Sequence, residues 1–178
     1  MLVRYAGLDK NDIVNGKGFN VSFWTQYCPH KCKGCHNPET WAKDGGTLIE
    51  YNQLLQEIIE AIKANGIIRN FSILGGEPLC EENIYLVNSL IKDIKKIYPN
   101  ILIYCWTGYN FEEIKEKYKE TLENIDILID GKFILEKRDV TLKLRGSDNQ
   151  RIIDCKKSLK DKRILLYEEG SLERYKGL

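Results

Sequence analysis

The chain has 178 residues, 43% hydrophobic and 30% charged, which suits one folding domain with a core of its own and excludes both a peptide scaffold and a multidomain assembly. Twenty-seven Lys and Arg against 26 Asp and Glu leave a net charge of +1, so no broad basic field is available to hold a nucleic-acid backbone. The most apolar runs, 101–106 and 125–129, are far shorter than the roughly 20 residues a bilayer span needs, and residues 1–5 lack the apolar stretch of a signal peptide. The expectation is a cytoplasmic protein with neither a nucleic-acid nor a membrane partner.

Residues 18–25 read as a strand, with Phe19, Val21 and Phe23 on one face and Asn20, Ser22 and Trp24 on the other. It leads straight into a loop holding Cys28, Cys32 and Cys35. Thr47-Leu48-Ile49-Glu50 has the form of a helix capping box, and Tyr51, Leu54, Leu55, Ile58, Ile59 and Ile62 follow at helical spacing until Asn65-Gly66. Residues 71–74 predict a short apolar strand. Ile84, Val87, Leu90, Ile91, Ile94 and Ile97 mark a second amphipathic helix that stops near Pro99-Asn100. Residues 101–106 predict the next buried strand, and Asn110-Phe111-Glu112-Glu113 caps a third helix running to about Tyr118. A strand over 125–130 follows, after which the alternation becomes less clear.

Strands alternating with helices indicate parallel β-α-β units, and the continuous apolar runs fit strands covered by helices on both faces. There are too few units for a closed eight-stranded barrel, which takes about 250 residues. The expected fold is therefore α/β: an open partial β/α barrel of mostly parallel strands with helices outside, formed by residues 1–178 as a single domain. The loops at the carboxyl ends of the strands should carry the chemistry. They are Cys28 to Cys35, Gly75-Gly76-Glu77-Pro78, Thr107-Gly108-Tyr109 and Asp130-Gly131-Lys132.

Six cysteines in a reducing compartment read as metal ligands or packing residues rather than disulfides. Cys105 lies inside an apolar run and reads as core, while Cys80 and Cys155 are given no role. Cys28, Cys32 and Cys35 cluster with both histidines of the chain, His30 and His36. One reading is a structural zinc, with one of these histidines completing a Cys3His set. The other is an iron–sulfur cluster held at three corners by thiolates, leaving one iron open for chemistry.

Gly75-Gly76 lets the backbone approach a ligand closely, and Pro78 holds Glu77 extended, presenting carbonyls or its carboxylate to a cation such as an amino-acid ammonium. The bland alternative is a tight turn before a helix. Asp130 and Lys132 flank a glycine past a strand end, where both can face the cleft or form a solvated charge pair. Lys95, Lys96, Lys115, Lys117 and Lys119 read as solvated helix faces.

Cys-x3-Cys-x2-Cys followed by Gly-Gly-Glu-Pro resembles the radical S-adenosylmethionine superfamily. The run from Cys28 to Trp41, with Trp106-Thr107-Gly108-Tyr109, Asp130-Gly131-Lys132-Phe133 and the stretch from Leu144 to Arg151, resembles within it the family that activates anaerobic ribonucleoside-triphosphate reductase. The resemblance implies a [4Fe–4S] cluster on Cys28, Cys32 and Cys35, with S-adenosylmethionine chelating the fourth iron. Reductive cleavage would then give methionine and a 5′-deoxyadenosyl radical that takes a hydrogen atom from a glycine of the large reductase. It further implies a low-potential electron donor such as flavodoxin or ferredoxin.

By position, Gly34 and His36 fall to the adenine side of the cofactor and Gly75, Gly76 and Glu77 to its methionine ammonium. Lys132 falls to its carboxylate, through similarity to an Asp-x-Lys motif of pyruvate formate-lyase activating enzymes. Trp106 departs from those enzymes, which carry an acidic residue there. The segment from Arg145 to Arg151 is either a docking element for the reductase or a polar turn. The competing readings are an activase of another glycyl-radical enzyme, such as pyruvate formate-lyase, and a non-catalytic zinc or iron–sulfur module.

Overall fold

A computed structural model describes residues 1–168. Its strands are β1 (Leu2–Asp12), β2 (Asn20–Thr25), β3 (Thr47–Glu50), β4 (Asn70–Gly75), β5 (Ile103–Trp106), β6 (Ile127–Asp130) and β7 (Arg151–Asp154). The helices are α1 (Tyr51–Ile62), α2 (Ile84–Ile97), α3 (Phe111–Ile114), α4 (Lys119–Leu122) and α5 (Cys155–Asp161). The strands form one sheet in the order β3-β1-β2-β4-β5-β6-β7.

The centre, β2-β4-β5-β6, is parallel as the β-α-β alternation requires, with α1, α2 and the α3–α4 pair in the crossovers. Both margins are antiparallel: β1 against β2, β3 against β1, and β7 against β6. β1 carries no clean alternation of apolar residues, because its pairing with β2 is interrupted by register shifts between Tyr5 and Gly7 and between Asp9 and Asp12.

Three expected element boundaries change. Thr47 to Glu50 is a strand rather than a helix cap, its backbone pairing with Leu2 to Tyr5, and α1 starts only at Tyr51. The strand foreseen from Gly18 starts at Asn20, because Asp12 Oδ1 accepts the N–H groups of Val14 (2.6 Å) and Asn15 (3.1 Å) and turns the chain between β1 and β2. The single helix foreseen from Asn110 to Tyr118 is two short ones, although the Asn110 N–H does donate to Glu113 as the capping box requires (2.6 Å).

Helices cover one face of the sheet, not both. Val21, Phe23, Phe71, Ile73, Ile103, Cys105 and Leu128 pack against Leu54, Ile58 and Ile62 of α1 and Val87, Leu90, Ile91 and Ile94 of α2, all essentially without solvent exposure. This burial is the main source of stability. The opposite face is closed by loops. There Ser22 donates to Asp12 (2.5 Å), Ser72 donates to the Asn15 carbonyl, and the Lys17 N–H donates to the Tyr104 hydroxyl (3.1 Å). Ile127 and Ile129 meet Leu144 and Ile152 on this side.

Parallel registry aligns the carboxyl ends of the central strands. Thr25 lies beside Gly75, Ile73 beside Cys105, and Trp106 beside Ile129. The four loops singled out above therefore leave the sheet from one edge.

Candidate functional site

β2 runs into the cysteine loop through Gln26, whose side-chain amide donates to the carbonyls of Glu39 (3.2 Å) and Ala42 (2.7 Å) and so ties the far side of the loop to its root. Within the loop, Tyr27, Lys31 and Gly34 adopt positive φ (80°, 46° and 73°), coiling the chain so that the Cys35 N–H reaches the Cys32 carbonyl (3.0 Å). Two features favour glycine at position 34. Its φ suits glycine, and a Cβ there would stand 2.8 Å from Leu135 Cδ1, which packs over the loop.

Cys28 is buried, and Cys32 and Cys35 are partly exposed. Burial pushes the Cys28 thiol up to about 11 and also raises Cys32, which the neighbouring Cys35 raises further. As free thiols Cys28 and Cys32 are neutral at pH 7. Iron offsets that cost by supplying the positive charge a thiolate needs. The Asn37 N–H donates to Cys35 Sγ (3.4 Å), the kind of N–H···S contact that tunes iron–sulfur centres.

Among the described residues no three His, Cys, Asp or Glu side chains gather as they would around one metal ion. A four-iron cluster asks for less convergence, since each thiolate binds its own iron, and three thiols spaced along one coiled loop fit that demand. His30 Nε2 is engaged with Glu77, and His36 is exposed.

The Gly-Gly turn presses against the root of the same loop. Gly75 (φ 102°) leaves no room for a Cβ, which would lie 2.7 Å from Trp24 Cα. A Cβ on Gly76 would run into the Tyr27 carbonyl. The Gly76 N–H donates to Thr25 O and the Glu77 N–H to Tyr27 O, both at 2.8 Å. The two glycines thus permit contact between the β4 turn and the cysteine loop.

Glu77 is 1% exposed, and its carboxylate faces inward instead of standing free for a ligand. Oε1 accepts from the Leu79 N–H (2.9 Å) and the Thr107 hydroxyl (2.7 Å), and Oε2 from the Gly108 N–H (2.6 Å) and His30 Nε2 (2.8 Å). Sequence reasoning missed Thr107, Gly108 and His30 as its partners; the only signal was their place in strand-end loops.

Asp130 does not face the cleft. It is fully buried and accepts from the Phe111 N–H (2.8 Å) and from Arg151, whose Nε lies at 2.9 Å. Lys132 is exposed, its carbonyl held by the Asn149 amide (2.8 Å), and its charge eases ionisation of the Cys32 thiol.

The stretch from Arg145 to Arg151 folds onto this turn. Gln150 accepts the N–H groups of Gly146 (2.8 Å) and Ser147 (3.1 Å) and donates to Gly131 O (3.0 Å). Trp106, at the position of the departure noted above, donates its indole N–H to Leu144 O (2.8 Å). Cys80, Cys105 and Cys155 are all buried, and burial raises each thiol. Cys105 sits in the core as expected.

Residues 14–153 match the model of a family described as a 4Fe-4S single cluster domain. The chain is 37% identical over 151 residues to an anaerobic ribonucleoside-triphosphate reductase-activating protein of Haemophilus influenzae, spanning 84% of this chain and 97% of that one. Proteins of the same name from Vibrio cholerae (38% over 143 residues; 79% and 91% covered) and Enterobacteria phage T4 (39% over 142 residues; 79% and 87% covered) are similarly close.

Proposed function

The chain belongs to the family of anaerobic ribonucleoside-triphosphate reductase-activating proteins, and from that premise we propose that it is a radical S-adenosylmethionine enzyme that installs a glycyl radical on such a reductase. The observation that carries this reading is the packing of a three-thiol loop against a Gly-Gly turn at one edge of a parallel sheet; three thiolates would leave one iron of a bound cluster for a cofactor. The relatives' shared name supports the reductase as target over another glycyl-radical enzyme.

Cys28, Cys32 and Cys35 would hold the [4Fe–4S] cluster. When bound, the cluster supplies the electron that breaks the sulfonium carbon–sulfur bond of S-adenosylmethionine. The protein binds and orients. Gly75, Gly76 and the Glu77 backbone border the methionine side, Gly34 and His36 the adenine side, and Lys132 offers its ammonium to the carboxylate. Because the Glu77 side chain is spent on four protein donors, its part is to hold the turn in place. Leu135 packs over Gly34.

No described helix is long and apolar enough to cross a membrane. Thiol ligands and a low-potential donor such as flavodoxin or ferredoxin call for the reducing cytoplasm.

The test is anaerobic. The protein is reconstituted with iron and sulfide, reduced with dithionite and given S-adenosylmethionine, and 5′-deoxyadenosine and methionine are quantified with and without the reductase. Both products, with a glycyl-radical signal on the reductase, are expected. A loop that takes up zinc alone, or a loaded protein forming neither product even with the reductase, would overturn the reading.

A further inference from the structure

Glu77 is a buried carboxylate, and a buried charge persists only if its oxygens are satisfied. Its donors come from three separate stretches: Leu79 from its own turn, Thr107 and Gly108 from the turn after β5, and His30 from the cysteine loop. His30 is the one among them that the cysteine loop contributes. A carboxylate only accepts, so the imidazole proton sits on Nε2.

The His30 ring has no freedom to leave. Its side chain is 7% exposed, and the ring stands edge-on to Tyr109 with centroids 4.6 Å apart. It lies so close to Gly108 that a Cβ there would collide with it. His30 is also two residues from both Cys28 and Cys32, so where its ring is fixed, the path of the ligand loop is fixed.

We propose that His30 is a positioning residue: through Glu77 it locks the cysteine loop to the turns after β4 and β5, holding the thiol-bearing loop and the Gly75–Gly76 turn in the register that cofactor binding needs. This rests on the reading that the loop carries the cluster and the turn receives S-adenosylmethionine. The Glu77 carboxylate and His30 Nε2 are engaged with protein partners. The pair's contribution is to keep two halves of one binding face from sliding apart, a pre-organisation that appears in affinity.

The test uses the reconstituted full chain and three variants. His30→Phe keeps a ring against Tyr109 but cannot donate, His30→Gln keeps a donor, and Thr107→Val removes a different Glu77 donor without touching the cysteine loop. Iron and sulfide content and the melting temperature report the fold and the cluster. The dissociation constant for S-adenosylmethionine, and the change it causes in the electron paramagnetic resonance spectrum of the reduced cluster, report register.

His30→Phe should retain iron and lose affinity by about tenfold, the worth of one hydrogen bond to a charged group, with a weakened spectral response. His30→Gln should recover most of both. Wild-type affinity and spectral response in an iron-replete His30→Phe protein overturn the proposal. If His30→Phe loses its iron, Thr107→Val decides: full iron with weakened affinity supports the register role, and unchanged affinity overturns it. A wild-type protein that holds the cluster but binds no S-adenosylmethionine would overturn the functional reading and this inference with it, whereas failure of the variants alone leaves that reading standing.

Discussion

The carboxylate of Asp130, fully buried at the end of β6, is gripped by Arg151 of the antiparallel neighbour β7, whose guanidinium also reaches Glu112 (2.8 and 3.1 Å). The two carboxylates hold the guanidinium firmly in its charged form, Asp130 foremost. Removing the arginine would strand a buried charge. Arg151→Met should therefore lower stability by on the order of 3 kcal/mol in urea denaturation at neutral pH. An unchanged midpoint would show that Phe111 alone satisfies Asp130.

Cys32 and Cys105 should separate by iron content. Cys32→Ala is expected to abolish cluster assembly while the chain still folds, because this loop lies at the edge of the sheet. Cys105→Ala, in the helix-covered core, should keep its iron and lose about 1 kcal/mol of stability. Iron and sulfide analysis of the two proteins, beside their melting curves, checks both.

Gly76 tests the contact between the two loops. A side chain there meets the Tyr27 carbonyl, one residue before Cys28, so Gly76→Val should reduce cluster incorporation as well as S-adenosylmethionine binding. Full iron with weakened cofactor binding would mean that the loops yield independently.

Asp12 predicts an acid-sensitive step. Burial pushes its carboxyl up, but hydrogen bonds from Ser22, the Asn15 side chain and the N–H groups of Val14 and Asn15 outweigh that and hold it below 3.8, its ordinary value. A lowered folded-state value stabilises the protein above the unfolded value and is lost as pH falls through the folded one. The contribution should be complete at pH 6 and decline below about 3.8. Asp12→Asn should be less stable at pH 6 by roughly 2 kcal/mol and lose less on acidification. Parallel slopes between pH 6 and 3 would reject the assignment.

Much of this protein was legible in local pattern. Helical spacing located α1 and α2, apolar runs located β4, β5 and β6, and the three-cysteine spacing with Gly-Gly-Glu-Pro marked the loops that meet at one sheet edge. These signals work because periodicity and ligand spacing are properties of a few adjacent residues.

The pairing of β3 with β1 was not legible. Thr47 to Glu50 carries a valid helix-start signal, and backbone bonds to residues 2–5 override it. Nor was the direction of the buried carboxylates. Glu77 turns inward to His30, 47 positions away, and Asp130 to Arg151, 21 positions away. A buried charge goes where donors are, and those donors are assembled only when strand pairing, parallel around Glu77 and antiparallel between β6 and β7, brings distant residues together. Local sequence determined which groups are available for chemistry; tertiary structure decided which of them remain open to a ligand and which are consumed in holding the site in shape.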